Sequence, residues 1–377
     1  MPLLSRPEIQ GVSVCQHGGI DYAELEKLGI APQEVLDFSA NLNPFGPPPG
    51  VEEVLSEVDI SHYPDSEACH LRCSLAENLG VKVENILVGN GSTELIRLAA
   101  LAYLGKEDKT LIIEPTFGEY QVACQIVGAS LVKQKLSGED AFLPNISETI
   151  RLIQRYRPKG IFICNPNNPT GRYLSREDFE KILDASKDSL VILDEAYVSF
   201  VDSAWSSLDF VSPSLATSKE RSNLLILRSM TKDYAMAGLR LGYGVAKEEI
   251  IAVLRRICPP WNVNVLAQKA GIIAVNEEKY LKRCRVELME AKDYLVTELS
   301  RLGLSSLPSE ANFFLVEVSD AAAFHFELLK EKMLVRDCAS FGLPSYVRIA
   351  PRTLPECRKL VAAVEGVVDT LRINKGG

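Results

Sequence analysis

The sequence contains no run of about eighteen apolar residues, which excludes a membrane-crossing helix. Its first residues, MPLLSRPEIQGVSVCQHGG, lack the basic-then-apolar layout of an export signal, so a cytoplasmic protein with no membrane partner is expected. Basic charge is not in excess. With 41 Lys and Arg against 50 Asp and Glu the net charge is −9, and nucleic acid, which is bound through basic faces, is not an expected partner. A small anion stays possible, because a few arginines in a cleft dominate locally. Histidine is scarce, with four in the chain, and the nine cysteines show no paired spacing. Reduced, mostly buried thiols are expected. The stretch CHLRC (Cys69, His70, Cys73) lacks a second ligand pair for zinc, so no metal is expected. Internal repeats and low-complexity tracts are missing too.

What is present suits a large globular chain. A length of 377 residues exceeds one ordinary core and points to two domains, while 46% hydrophobic and 24% charged residues supply both core and solubility. Residues 1–50, rich in Gly, Pro and Asn and ending in NLNPFGPPPG, read as an irregular arm that joins the smaller domain. From Val51 to Asn262, apolar strands alternate with helices: NILVGNGSTELIRLAALAYL, KTLIIEPTFGEYQVACQIVG, KGIFICNPNNPTG, SLVILDEAYVSF and SNLLILRSMTKDYA. Strands apolar throughout and separated by helices predict an α/β fold with a mainly parallel sheet covered on both faces. Residues 263–377 change to long amphipathic helices, then the short strands ANFFLVEV, MLVRDC and SYVRIAP and a last helix. That is a smaller α+β domain.

In such sheets ligands bind beyond the C-terminal ends of the strands. The unusual polar groups all follow strands and are expected to converge there: Gly91, Ser92 and Thr93, then Phe117, Asn168, Asp194 with Tyr197, and Ser229 with Lys232. GNGSTE opens a helix, whose N–H groups and positive dipole end suit a phosphate, although an ordinary glycine turn would look the same. Asp194 ends the apolar run VILD, and a buried carboxylate needs a cation or strong donor beside it. A protonated ring nitrogen would serve. Lys232, held near cations and away from water, would have a depressed pKa and act as a nucleophile able to form a Schiff base. Arg240 supplies a cation and a fork matched to phosphate, and Ser229 adds a hydroxyl. A phosphate cradle, a nucleophilic lysine, an acidic partner for a pyridine nitrogen and an aromatic plane together describe a pyridoxal 5'-phosphate site.

The motifs NPNNPTG, LDEAY, SMTKDYAMAGLRLGY and VRIAPRT resemble those of fold-type I pyridoxal-phosphate enzymes of aminotransferase classes I and II. The pattern is similar to the branch that holds histidinol-phosphate aminotransferase and L-threonine-O-3-phosphate decarboxylase. This resemblance implies a seven-stranded, mainly parallel sheet in the large domain. It also implies roles for single residues. Lys232 would bond the cofactor aldehyde, Asp194 would meet the pyridine nitrogen, and Phe117 would stack on the ring. Tyr197 and Asn168 would bond the ring oxygen. Gly91, Ser92, Thr93, Ser229 and Arg240 would hold the phosphate. Tyr63, in HYPD, resembles a tyrosine that reaches the phosphate from a neighbouring subunit, which implies a homodimer. Arg348 resembles the arginine that receives a substrate carboxylate, and Arg336 one that receives a substrate phosphate. Ala237 stands where the branch usually has proline.

The reaction depends on which Cα bond of the substrate is held perpendicular to the cofactor ring. Loss of a proton leads to amino transfer; loss of the carboxylate leads to decarboxylation. QHGG followed by LDFSANLNPFGPP, with PPWNVN and VRDCASF, resembles the decarboxylase more, with His17, Gly18 and Asn41 expected at the substrate. The leading expectation is therefore decarboxylation of O-phospho-L-threonine to (R)-1-amino-2-propanol O-phosphate, in cobalamin biosynthesis. Histidinol-phosphate aminotransferase is the alternative. Arg336 and Arg348 fit both, and Arg352 is a weaker candidate, equally a surface charge.

Overall fold

The computed structural model describes residues 4–12, 14–212 and 221–373. Within the arm, the irregular reading gives way in places to short ordered pieces. A helix spans Tyr22–Leu28, because Asp21 accepts hydrogen bonds from the N–H groups of Ala23 and Glu24, and Gly29 closes it at φ 66°. A short strand β1 (Leu36–Asp37) follows and pairs in parallel with Met333–Leu334, tying the arm to the C-terminal part of the chain.

The main sheet contains β2 (Ile86–Asn90), β3 (Lys109–Glu114), β4 (Ser130–Lys135), β5 (Gly160–Cys164), β6 (Leu190–Asp194), β7 (Leu224–Ser229) and β8 (Leu241–Ala246). Their order is β2-β8-β7-β6-β5-β3-β4, seven strands, as the resemblance implies. All pairings are parallel except those of β8, which runs antiparallel to both β2 and β7. The two faces carry separate cores. Val191 and Leu193 of β6, with Leu224 and Ile226 of β7, enter one; Leu190, Ile192, Leu225 and Leu227 enter the other. This period of two, with apolar residues at both phases, is why the strands read as continuous hydrophobic runs.

Reversal of β8 matters for the site. The strands β5, β6 and β7 end at the edge where β8 begins, so Arg240, just before β8, stands beside the ends of its neighbours.

The C-terminal sheet has β9 (Phe314–Glu317), β11 (Arg336–Asp337) and β12 (Tyr346–Ile349) in the antiparallel order β11-β12-β9, while Met333–Leu334 is β10, the partner of β1. Arg336 and Arg348 face each other in register. Helices Glu278–Arg301, Ala321–Lys330 and Leu354–Ile373 share a core with these strands, and Phe38 of the arm is buried in it. The preceding helix, Val265–Ala274, buries Ala267, Ala270 and Ala274 in the core of the main sheet. Among the described residues no helix is long and apolar enough to cross a membrane.

Candidate active site

A cavity lies at the C-terminal edge of the main sheet, closed from the other side by the arm and by β11 and β12. Asp194 is the last residue of β6, paired with Cys164 of β5 and Leu227 of β7. Its carboxylate is buried. Tyr120 donates to Oδ2 at 2.8 Å, and the Ala196 N–H donates to Oδ1 at 3.0 Å. Burial pushes the Asp194 carboxyl up to about 6, against these two bonds, which favour the ionised form.

Lys232 sits on the loop after β7. Burial first, then the Arg348 and Arg240 guanidiniums, lower its amine to about 8. The loop is held from the arm: the Asn43 N–H donates to the Lys232 carbonyl at 2.9 Å, and Asn43 Nδ2 donates to the Asp233 carbonyl at 2.8 Å. Asn43 was not singled out in the sequence. Its signal was its place in NLNP, where a turn asparagine looks like any other.

At one end of the cavity the helix Ser92–Tyr103 begins, and Ser92 and Thr93 line the wall. Gly91, at φ 75°, lets the Arg240 guanidinium close in: a Cβ there would stand 2.7 Å from Nη2. On β8, a Cβ at Gly242 would stand 2.6 Å from the Ser92 nitrogen, so a glycine is needed for helix and strand to meet. Ser229 Oγ shares a hydrogen bond of 2.6 Å with Thr231 Oγ1, another wall residue missed in the sequence. Ala237 begins the short 3₁₀ turn Ala237–Leu239, whose Ala237 carbonyl accepts from Arg240 Nη1 at 3.1 Å.

Phe117 lines the wall between His17 and Tyr120, with ring centroids 5.7 and 5.6 Å away. Tyr197 Oη accepts from Asn41 Nδ2 at 3.2 Å, and burial pushes the phenol up to about 12. Asn168 Oδ1 accepts from Arg348 Nη1, while Arg348 Nη2 donates to the Ser39 carbonyl at 2.6 Å. Arg336 reaches the arm, donating to the carbonyls of His17 and Gln16, both at 2.9 Å, and to Ser340 Oγ at 2.6 Å. Neither guanidinium forms an ion pair with a carboxylate among the described residues; both line the cavity, and Arg348 Nε is buried without a hydrogen-bond partner. Gly18 lies against Arg348: a Cβ there would stand 2.7 Å from the Ser39 oxygen and 3.3 Å from Arg348 Nη2.

Two candidates lie elsewhere. Tyr63 does not line the cavity; it is exposed and stacks on Trp261 at 4.4 Å. Arg352 pairs with Glu356 at 2.9 Å and bonds the Asp37 carbonyl, a structural role. Cys69 and Cys73 are exposed on the helix Cys69–Leu79.

This donor set fits pyridoxal 5'-phosphate. A helix start with a guanidinium and three hydroxyls suits its phosphate, and a buried carboxylate opposite a lysine of lowered pKa suits its ring and aldehyde.

The aminotransferase class I and II family matches residues 33–364. Histidinol-phosphate aminotransferase of Moorella thermoacetica is 35% identical over 348 residues, which are 91% of this chain and 87% of that protein. The crystal structure of histidinol-phosphate aminotransferase from Clostridium acetobutylicum superposes with a TM-score of 0.80 at 29% identity, covering 89% of this chain and all (100%) of that one. L-threonine-O-3-phosphate decarboxylase from Porphyromonas gingivalis gives 0.77 at 30% identity, covering 88% and 99%. With a match that spans most of its length, the chain belongs to the aminotransferase class I and II family.

Proposed function

We propose that this chain is a pyridoxal-phosphate-dependent enzyme that transfers amino groups between small anionic substrates, of the histidinol-phosphate aminotransferase type, acting as a homodimer in the cytoplasm. The observation that carries the proposal is a buried Lys232 of lowered pKa beside Asp194, in one cavity with two arginines in register that have no carboxylate ion-pair partner among the described residues. The curated relatives support amino transfer over the decarboxylation suggested by the wording of the arm.

When bound, the cofactor supplies an aldehyde for Lys232 and an electron-accepting ring. Asp194 would meet the ring nitrogen, with Tyr120 and the Ala196 N–H keeping its carboxylate aimed. Phe117 would lie on the ring face, and Tyr197 and Asn168 would meet its oxygen. Ser92, Thr93, Ser229 and Arg240 would hold the phosphate, with Gly91 giving Arg240 its room. Arg348, steadied by Asn168 and Ser39, would take one anionic end of the substrate; Arg336, beside His17 and Gly18, would take the other. Asn41, bonded to Tyr197, would face the substrate between them. Lys232 Nζ, neutral in part at neutral pH, would take the proton from the substrate Cα.

Decarboxylation of O-phospho-L-threonine is a second reading, favoured by the packing of Gly18 against Ser39 and Arg348 and by the likeness to the Porphyromonas enzyme. Purified holoenzyme given histidinol phosphate and 2-oxoglutarate should produce glutamate. Carbon dioxide released from O-phospho-L-threonine, with no glutamate formed in the first assay, would transfer the assignment to the decarboxylase.

A further inference from the structure

The mouth of the cavity gathers a set of side chains that the reaction above does not use together. Cys15 Sγ, a ring nitrogen of His17 and a carboxylate oxygen of Glu119 all lie within 4.8 Å of one another. His17 Nε2 and Glu119 Oε1 are 3.2 Å apart. The other oxygen of Glu119 accepts from Arg97 Nη2 at 3.0 Å, which orients the carboxylate and leaves Oε1 facing the arm. Glu119 is buried at the start of the helix Glu119–Ile126, whereas Cys15 and His17 belong to the arm. Their approach needs Gly118, where a Cβ would stand 2.6 Å from Cys15 Sγ.

We propose that Cys15, His17 and Glu119 form a binding site for a divalent ion of the zinc type, which pins the arm across the mouth of the cofactor cavity. A thiolate, an imidazole and a carboxylate are donors that zinc accepts, and three protein ligands leave a fourth position for water. Tetrahedral bonds of roughly 2.0–2.3 Å put donors about 3.3–3.8 Å apart, so the widest separation must shrink by about 1 Å. Movement of the exposed arm supplies this. On binding, the Cys15 S–H bond gives way to a sulfur–metal bond and the proton leaves to solvent, without redox change. Arg97 and Arg336 are the cations beside these donors. Because binding displaces a proton from the thiol, affinity rises with pH.

The test uses holoenzyme carrying C69S and C73S, which removes the exposed thiols of another helix. Cobalt(II) is titrated while thiolate-to-metal absorption is followed, and zinc is titrated against a chromophoric chelator. Expected are one bound ion with a thiolate band, binding that tightens from about pH 6.5 to about pH 8, and at least a tenfold loss of affinity on adding Cys15→Ser. Equal affinity and an unchanged band in the Cys15→Ser protein would overturn the site, as would no binding at millimolar zinc. Since these readouts are not turnover, their failure leaves the assignment of the reaction untouched.

Discussion

At Lys232 the fold makes a positive charge costly: water is excluded and two guanidiniums are near. Its amine is lowered from 10.5 to about 8, so the neutral form gains as pH rises through about 8. Reductive labelling of cofactor-free protein by pyridoxal phosphate should rise with that midpoint at Lys232, as peptide mapping would record; a midpoint near that of surface lysines would contradict it. Lys232→Ala should abolish turnover with the fold intact by circular dichroism. Tyr120 positions Asp194. Tyr120→Phe removes a bond that favours the carboxylate, so the acidic limb of kcat against pH should move upward. The fall in kcat should be on the order of ten- to a hundredfold, or ~1.5–3 kcal/mol for a hydrogen bond to a charged group. Lys232 and Asp194 were legible because polar groups ending apolar strands are rare. Tyr120 was not, since an aromatic three residues after Phe117 on a buried helix reads as core.

Among the elements, β8 shows most clearly how topology builds the site. Its direction is not written in its apolar, glycine-broken sequence, because an apolar run looks alike read either way. Reversal brings Arg240 against Gly91 and presses Gly242 on the start of the helix Ser92–Tyr103. Gly242→Ala should cost about 2–3 kcal/mol in urea unfolding, since its Cβ meets backbone of both the Gly91–Ser92 peptide and Arg228, and cofactor affinity should fall with it. The arm shows the opposite error. Its Gly, Pro and Asn content masked the helix Tyr22–Leu28, although Asp21 and Gly29 were visible caps. Gly18→Ala, which pushes Ser39 and Arg348 apart, should raise KM for phosphorylated substrate with little change in cofactor affinity, as steady-state kinetics and cofactor titration would separate.

For the whole molecule, the proposed homodimer makes a prediction at Tyr63. Tyr63 is 77% exposed, stacks on Trp261, and lies outside the cavity of its own chain. If it serves the neighbouring protomer, mixed dimers of Tyr63→Ala and Lys232→Ala chains should regain activity, because one of the two sites then has both residues. No gain on co-expression, with mixed dimers verified by mass, would place the tyrosine in another role.

The α/β alternation, the polar strand ends and the lysine-to-arginine spacing were determined by the sequence alone, because side-chain period and turn chemistry are local. Tertiary structure decided the rest: the direction of β8, the seating of the arm over the cavity, and the register that sets Arg336 opposite Arg348. These depend on pairings between segments far apart in the chain, and local preference carries no information about which distant partner will satisfy a strand edge or a buried charge.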